Sequence, residues 1–478
     1  MLLTLLVSSS LFWASQGALE EYTLYAPVRS TTTYLVDHGG EIAHEWESGT
    51  QTGHEAILMK DGALLRAGKL NHPRFRGGGQ GGRLEILETD GTIRWRWDCV
   101  DAYLQHHDME LLDNGNILLI AWEHLSQEQA IALGREPDSI DSKGMWPDSI
   151  LEIKPILPDK HALVWEWHAR DHLVQDRDAE KPNFELIHDA PHRLDINYGV
   201  VDTREREEIL EEMKQLAELG YIDTELLEEE EQRNTREQRK DPDWMHSNAI
   251  SYNPTKDLIA LSLRNMSEIW IIDHSTTSAE AATSAGGNQG QGGDILWRWG
   301  TPSVYKRGDE DDRKLFGQHD VRWIAAGWDG AHNLTVFNNG EGRGWSSVDQ
   351  IVPPFLEDSL APAPAKDAWG PTALSWTYAA RNKRSLYSGH IAGANRLANG
   401  NTLIAAGEQG RIIEVNKEGK VVWEHQVPKE RLLGNNERPS PRRRGPKQGG
   451  PPGNGGLWRA YRYSADDAPI SVILKTKE

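Results

Sequence analysis

Residues 388–405 read SGHIAGANRLANGNTLIA, and this order of features (a histidine, a strand, a tight turn and a second strand) recurs along the chain. The turn is Ala398-Asn399-Gly400, and Asn-Gly or Asp-Gly between two apolar runs is a strong hairpin signal. The pattern begins at four other places, which are GHEAILMKDGALL (His54), HHDMELLDNGNILL (His106 and His107), WMHSNAISYNPTKDLIAL (His246) and GQHDVRWIAAGWDGAHNLTVF (His319). The chain therefore repeats one hairpin unit, and each unit starts with a histidine.

Most units end in an alternating segment whose tryptophans share one face of a strand. These tryptophans are Trp95 and Trp97, Trp165 and Trp167, Trp297 and Trp299, and Trp423. The histidines at 54, 107, 246, 319 and 390 are 53, 139, 73 and 71 residues apart, which suits four-stranded blades with loop insertions and is too long for a solenoid turn. We therefore predict an all-β fold, a β-propeller whose histidines converge on its axis.

The two ends of the chain determine the number of blades. Residues 34–46 contain only an outer-strand pattern, and residues 457–474 supply strand without a partner. A blade assembled from both termini would close the ring and hide the edges of an open sheet. We predict six blades, and seven remain the alternative if the 139-residue step contains another unit.

Composition restricts the class of protein. The 478 residues carry a formal net charge of -21, which argues against a nucleic-acid partner because phosphate binding needs a basic surface. The repeat spans nearly the whole chain, so residues 18–478 are predicted to form a single domain. Cys99 is the only cysteine, so an intrachain disulfide is impossible and cysteine content does not decide the compartment.

The first residues have the composition of a targeting segment. Residues 2–13 (LLTLLVSSSLFW) are apolar but too short to span a bilayer, and Ser15 and Gly17 follow at positions suited to cleavage. We therefore predict a signal peptide over residues 1–17 and a periplasmic or secreted protein with no membrane span. No Lys or Arg precedes the apolar run, so an incorrect start codon and a buried first strand remain the alternatives.

Three segments interrupt the repeat. Residues 203–240 are highly charged and carry apolar residues at three- and four-residue spacings, which predicts a helical insertion. Residues 275–293 and 439–456 are rich in Gly, Ser, Asn and Pro and are predicted to be low-complexity loops within blades. None of the three contains recognisable chemistry.

The repeated histidine also has a purely structural explanation, because repeated propellers use one there in a hydrogen-bond network. Two features favour a functional role. Polar residues follow two histidines in otherwise β-forming segments, namely Asn248 after His246 and Asn395 after His390. The distance from histidine to turn glycine is 8 residues from His54 and 10 from His390, whereas equal structural roles predict equal distances.

One arginine stands out in a glycine-rich turn. Arg343 lies in FNNGEGRGW, where the glycines allow close backbone approach to a ligand and the guanidinium can bind a tetrahedral oxyanion with two donors. Arg343, His107 and Asn248 are therefore candidate substrate-binding residues, and the axial histidines are candidate catalytic residues.

Four segments together resemble the bacterial aryl sulfate sulfotransferases. They are DWMHSNAISYNPTKDLIALSLRNMSEIWIID (243–273), FGQHD (316–320) followed by LTVFNNGEGRG (334–344), SGHIAGANRLANGNTLIAAGEQGRIIEVNKEGKVVWEH (388–425) and LWRAYRYS (457–464). The resemblance covers most of residues 34–464 and implies a six-bladed periplasmic propeller. It departs from the family in lacking a cysteine pair, in the 203–240 insertion and in the His106-His107 pair.

The resemblance implies a reaction and a set of roles. A central histidine of that family attacks the sulfuryl group of a phenolic sulfate ester, and a second phenol then discharges the sulfohistidine without a nucleotide sulfate donor. By order and motif His390 matches the nucleophile, while His246, His319 and Arg343 match residues that hold the sulfuryl oxygens and the leaving phenolate. The expected partners are small-molecule phenols and aryl sulfates, with no cofactor and no metal, and whether the chain forms a homodimer stays open.

Elementary chemistry supports this interpretation. An imidazole, with an ordinary pKa of about 6.5, is largely neutral at pH 7 and is a competent nucleophile. Fixed donors aimed at the sulfuryl oxygens stabilise the charge that moves during transfer. Because the protein as a whole is acidic, the axial site must be locally positive to accept a sulfate ester.

Two other classes of function remain open. Four imidazoles on a propeller axis can hold iron, as in an oxygenase, with Glu55, Asp108 and Asp320 offered as carboxylates that orient the ligands. Alternation along a strand would place these carboxylates on the face opposite the histidines, which argues against that role. The other alternative is a non-catalytic propeller that serves as a binding platform.

Overall fold

The computed structural model describes residues 21–140, 142–200, 241–434 and 456–475, together with the single positions 211 and 214. Six four-stranded antiparallel sheets surround one axis as the blades of a β-propeller. The predicted signal peptide, nearly all of the 203–240 insertion and residues 439–455 lie outside the described residues.

The first three blades take up the N-terminal part of the chain. Blade 1 contains β1 (Glu21–Pro27), β2 (Thr32–Val36) and β3 (Ile42–Glu47). Blade 2 contains β4 (Thr52–Leu58), β5 (Leu64–Lys69), β6 (Gly82–Leu87) and β7 (Ile93–Asp98). Blade 3 contains β8 (Leu104–Leu111), β9 (Ile117–Trp122), β10 (Asp148–Ile156) and β11 (Lys160–His168), and a short parallel pair follows, β12 (Leu173–Val174) with β13 (Leu194–Asp195).

The remaining blades follow in the same order. Blade 4 contains β14 (Ser247–Asn253), β15 (Leu258–Leu263), β16 (Glu268–Asp273) and β17 (Trp297–Trp299). Blade 5 contains β18 (His319–Trp323), β19 (Leu334–Asn338), β20 (Ser347–Ile351) and, after the small hairpin β21 (Phe355–Leu356) and β22 (Ser359–Leu360), β23 (Trp376–Tyr378). Blade 6 contains β24 (Gly393–Arg396), β25 (Thr402–Ala406), β26 (Arg411–Val415) and β27 (Val421–Gln426), and β28 (Leu457–Ser464) returns to blade 1.

Helices are short and peripheral in the described part of the chain. They are α1 (Gln127–Ala132), α2 (Ser278–Ala281), α3 (Lys429–Leu433) and α4 (Ala468–Lys475), with 3-10 turns at Pro137–Ser139, Ala169–His172, Pro302–Tyr305, Glu310–Asp312, Lys383–Ser385 and Gly407–Gln409. The low-complexity segment 275–293 contains α2 and is tied to blade 3 by the Trp167 indole, whose Nε1 donates to the Gly293 carbonyl at 2.7 Å. No helix within the described ranges has the length and apolar character to cross a membrane.

Both termini build blade 1. The C-terminal β28 lies innermost and pairs antiparallel with β1, with Leu24 opposite Tyr461. The innermost strands β4, β8, β14, β18, β24 and β28 then contact one another in a closed cycle around the axis. This confirms the prediction of a six-bladed ring closed by the two ends of the chain.

The tryptophans of the outer strands connect each blade to the next. Their indole N–H groups donate across five blade junctions, from Trp95 to the Lys160 carbonyl, Trp165 to Thr276 Oγ1, Trp297 to the Gly370 carbonyl, Trp376 to the Lys417 carbonyl and Trp423 to the His38 carbonyl. A buried indole N–H needs an acceptor, and the ring beside it packs apolar surface between sheets. The repeated tryptophans therefore stabilise the contacts between neighbouring blades.

In five blades a residue with positive φ lies within the inner strand or just before it, at the repeat position. The residues with positive φ there are His54 (94°), His107 (54°), His246 (54°), Asp320 (57°) and Ile391 (48°). A β-bulge of this kind re-aims side chains and breaks simple alternation. At four of these positions the register with the next strand shifts as well. In these four blades the bulge lies beside the histidine that lines the mouth of the ring.

Alternation along a strand predicted that the acids after the histidines face away from the axis, and this prediction was wrong. Glu55, Asp108 and Asp320 point toward the axis, not away from it, and all three form ion pairs with Arg459 of β28. They contact this arginine and are not hydrogen-bonded to the histidine rings. A buried charge cluster therefore lies beside the histidines and links blades 1, 2, 3 and 5.

Candidate active site

An axial cavity of about 400 Å³ opens where the inner strands begin. No Asp or Glu is among its described lining residues, although the chain has 73 acidic residues. The lining residues are Val28, Arg29, Thr52, His54, Lys69, Gly77, Gly78, Gly79, Gln80, His107, His246, Arg264, His319, His390, Ile391, Gly456 and Trp458. Five imidazoles and three cationic side chains therefore meet in one place, which makes the cavity suited to an anion.

His390 is held by a carboxylate. Its Nδ1 and its backbone N–H both face Oε1 of Glu408, the backbone contact being 3.1 Å. Glu408 is fixed in turn, because its own N–H donates to Ser388 Oγ at 3.1 Å. The contact assigns the ring proton of His390 to Nδ1, so Nε2 carries the lone pair. The imidazole is about 29% exposed, which leaves it accessible from the cavity.

His319 has the same tautomer but different partners. Its Nδ1 lies 2.8 Å from Asn339 Oδ1 and 3.1 Å from the Gly317 carbonyl, and both are acceptors. Burial, together with the nearby Arg264 cation, holds the pKa of His319 well below 6.5. The ring is therefore neutral and its Nε2 has no proton to donate to a sulfuryl oxygen, which differs from the role that the resemblance implies.

His246 belongs to a chain of three side chains. Its Nδ1 lies 2.6 Å from Asp243 Oδ2, and Trp122 Nε1 donates to the other oxygen of this carboxylate at 2.9 Å. Burial raises the pKa of Asp243, but the His246 ring and the indole N–H lower it by more, so the carboxyl is ionised. An ionised carboxylate at this distance stabilises positive charge on the imidazole, which makes His246 suited to proton transfer.

His107 and His54 are the other two histidines of the cavity. Burial lowers the pKa of His54 to about 4 and holds that of His107 well below 6.5, so both are neutral. His107 Nδ1 contacts His106 Nδ1 at 2.8 Å, and His106 stacks on the Trp122 indole without lining the cavity. A Cβ on Gly79, whose φ is +73°, would lie 2.0 Å from His107 Nε2. Only glycine therefore fits at this position, where the loop covers the His107 ring.

Trp458 forms one wall of the cavity from the innermost strand of blade 1. Its ring centroid lies 4.8 Å from that of His54, 5.6 Å from His107 and 5.5 Å from His319. The indole therefore holds three imidazoles apart and offers an apolar surface beside them, which an aromatic ligand can contact.

Arg264 is the guanidinium beside the catalytic candidates. It follows β15, its N–H donates to the His246 carbonyl at 3.1 Å, and its side chain pairs with Glu341 at 3.0 Å. The pair is partly exposed, so its attraction is modest and an anionic ligand can compete with Glu341 for the guanidinium.

Arg343 and Asn248 do not line this cavity. The Arg343 guanidinium stacks between Phe316 and Trp345, 4.8 and 4.1 Å from their ring centroids, because the tight turn after Gly340 directs it there. Asn248 is fully buried, and its Nδ2 donates to the Gln318 carbonyl at 2.8 Å, which joins blade 4 to blade 5. His54, His107, His246, His319 and His390 are brought together as expected.

Sequence reasoning missed Arg264, Glu408 and Lys69, and one signal could have found them. In an antiparallel hairpin the second strand ends beside the start of the first, so the residue after the second strand lies at the same mouth as the histidine. Lys69 ends β5, and Arg264 and Glu408 follow β15 and β25. Asp243 and Trp458 carried no comparable signal. Within the described ranges, no three His, Cys, Asp or Glu side chains are arranged to hold a metal ion.

Comparison with known families gives one match. The family model described as Arylsulfotransferase (ASST) matches residues 23–353, more than half of the chain. The matched range includes His246, Arg264 and His319 and ends before His390. No curated protein matches the chain.

Several solved structures are similar at low identity. A protein of unknown function from Bacteroides caccae is 11% identical over 93% of this chain and 98% of its own, with a TM-score of 0.45. Apo AztD from Citrobacter koseri is 7% identical over 93% and 99%, with a TM-score of 0.37. The periplasmic gluconolactonase PpgL from Pseudomonas aeruginosa is 9% identical over 86% and 85%, with a TM-score of 0.37.

Proposed function

The chain belongs to the arylsulfotransferase family, and from that premise we propose that it transfers a sulfuryl group from a phenolic sulfate ester to a phenol through a sulfohistidine at His390. The observation that carries the proposal is an axial cavity lined by five imidazoles and three cations and by no described carboxylate. An anionic ester is attracted to such a cavity in an otherwise acidic protein.

In the first half-reaction His390 Nε2 attacks the sulfur atom. The N–S bond forms, the bond between sulfur and the phenolic oxygen breaks, and its electron pair leaves on that oxygen. His246, when protonated, gives its proton to the departing phenolate, whose conjugate acid has a pKa of about 10. Glu408 keeps the His390 ring oriented and offsets the positive charge that the ring gains on sulfation.

The second half-reaction reverses these steps with another phenol. The acceptor hydroxyl gives its proton to the now neutral His246 while its oxygen attacks sulfur, and the N–S electron pair returns to His390 Nε2. The Arg264 guanidinium is the donor for the sulfuryl oxygens in both directions. Because the neutral His319 exposes a lone pair at Nε2, it is the competing candidate for the nucleophile.

The proposal is tested with 4-nitrophenyl sulfate as donor. With phenol present, nitrophenolate release continues and phenyl sulfate accumulates in equal amount. Without an acceptor, release stops after a burst of about one equivalent of enzyme, because the sulfohistidine has no partner. Continued release of nitrophenolate and inorganic sulfate without phenol would mean a hydrolase, and no release with any donor would contradict the proposal.

A further inference from the structure

One wall of the axial cavity has charges that sulfuryl transfer does not use. Arg29 lies between β1 and β2, and Lys69 ends β5; both are exposed and line the cavity. Neither side chain makes an ion pair or hydrogen bond with another residue in the described part of the chain. Lys69 is close enough to His54 to help lower the pKa of that imidazole, after burial.

The ring order separates these cations from the reacting groups. Arg29 belongs to blade 1 and Lys69 to blade 2, whereas Arg264 belongs to blade 4, His319 to blade 5 and His390 to blade 6. In a closed ring of six blades, blade 1 lies opposite blade 4 and blade 2 opposite blade 5. A sulfuryl group held on the side of blades 4 to 6, which is centred on blade 5, therefore directs the far end of its phenol toward Lys69 of blade 2 and the adjoining Arg29 of blade 1.

The space between the two sides suits an aromatic ring. The cavity of about 400 Å³ lies within the range of about 300–1,000 Å³ that is usual for small-molecule sites. Trp458 and Ile391 supply apolar surface to its lining. A ring that carries an anionic group at each end would meet cations at both ends and apolar contacts between them.

We propose that Arg29 and Lys69 form a second anion-binding subsite, and that the preferred substrates are phenols, and their sulfate esters, with an additional anionic substituent such as a carboxylate. This inference rests on the proposed sulfuryl transfer at His390. Without such a substituent, two cationic side chains face the cavity with no partner of opposite charge in the described residues.

The test compares two donors that differ by one carboxylate group. They are 4-(sulfooxy)phenylacetate and 4-methylphenyl sulfate, whose leaving phenols have similar basicity because a methylene group insulates the carboxylate. We expect wild-type kcat/KM to be about tenfold higher for the carboxylated donor, the effect of one partly screened ion pair. Lys69→Met and Arg29→Met should each reduce this ratio severalfold, and raised salt should reduce it as well.

A control removes a positive charge elsewhere. Lys154→Met changes an exposed lysine of β10, so the net charge falls equally while the ratio stays as in wild type. Equal kcat/KM for the two donors in wild type, or a ratio unchanged by both cavity variants, would overturn the proposal. If neither donor is turned over, the proposed function has failed instead. Calorimetry then decides the subsite: tighter binding of the carboxylated compound, lost in Lys69→Met, supports it, and equal binding of the two compounds overturns it.

Discussion

Arg264 and Arg343 are two arginines in turns near the mouth of the ring, and their surroundings give them different roles. Arg264 lines the cavity, whereas Arg343 stacks between two aromatic rings outside it. We expect Arg264→Met to lower kcat/KM about 100-fold, the usual loss for one donor to a developing anion. Arg343→Met should change it less than about threefold in the same steady-state assay. A larger loss in the Arg343 variant would contradict this assignment.

The protonation of His54 makes the stability of the fold depend on pH. Its pKa is about 4 when folded and about 6.5 when unfolded, so below pH 6.5 the unfolded chain binds a proton that the folded chain does not. Stability therefore falls as the pH is lowered from about 6.5 toward 4. Removing this group in His54→Asn should reduce the loss between pH 7 and pH 5 by about 2 kcal/mol, measured by urea unfolding. An unchanged pH dependence would contradict the buried neutral state.

At the scale of elements, the closing strand β28 also supplies a cation to a buried charge cluster. Arg459 of this strand is buried and pairs with Glu55, Asp108 and Asp320, each of which follows an axial histidine. Arg459→Met would leave these three carboxylates with Arg322 as their one nearby cation, 2.7 Å from Asp320 and 3.6 Å from the other two, and should cost about 3–5 kcal/mol of unfolding free energy. Arg83→Met breaks the partly exposed pair with Asp98 and should cost about 1 kcal/mol or less. Equal losses in the two variants would contradict a central role for Arg459.

The sequence predicts the blades but not the direction of every side chain within them. Hairpin turns, alternating tryptophans and unpaired ends predicted the blades and their closure, because each is a local pattern with a fixed period. The pattern did not predict that Glu55 and its counterparts face the axis, because that depends on a residue with positive φ at the inner strand of each of their blades. Glycine-rich context suggested Arg343 as the anion donor, but the direction of a side chain after a turn depends on its packing, here against Phe316 and Trp345.

At the scale of the whole molecule, the proposed chemistry needs no Lewis acid. A nitrogen nucleophile, a proton-transferring imidazole and a guanidinium supply each step, so exhaustive chelation should leave transfer activity within about twofold of the untreated enzyme. The measurement is the nitrophenolate assay before and after dialysis against a chelator, with metal analysis of both samples. Stoichiometric iron that is lost together with activity, and restored with it, would favour the oxygenase interpretation.

At this scale His390, as the sulfuryl carrier, is the residue on which the proposed reaction depends. The direct measurement is mass spectrometry of the enzyme quenched after incubation with 4-nitrophenyl sulfate and no acceptor. We predict a peptide containing His390 that is heavier by one acid-labile sulfuryl group, and its absence in His390→Asn, which keeps the fold and loses nearly all transfer. A label on His319, or full activity of His390→Asn without any label, would contradict the central claim.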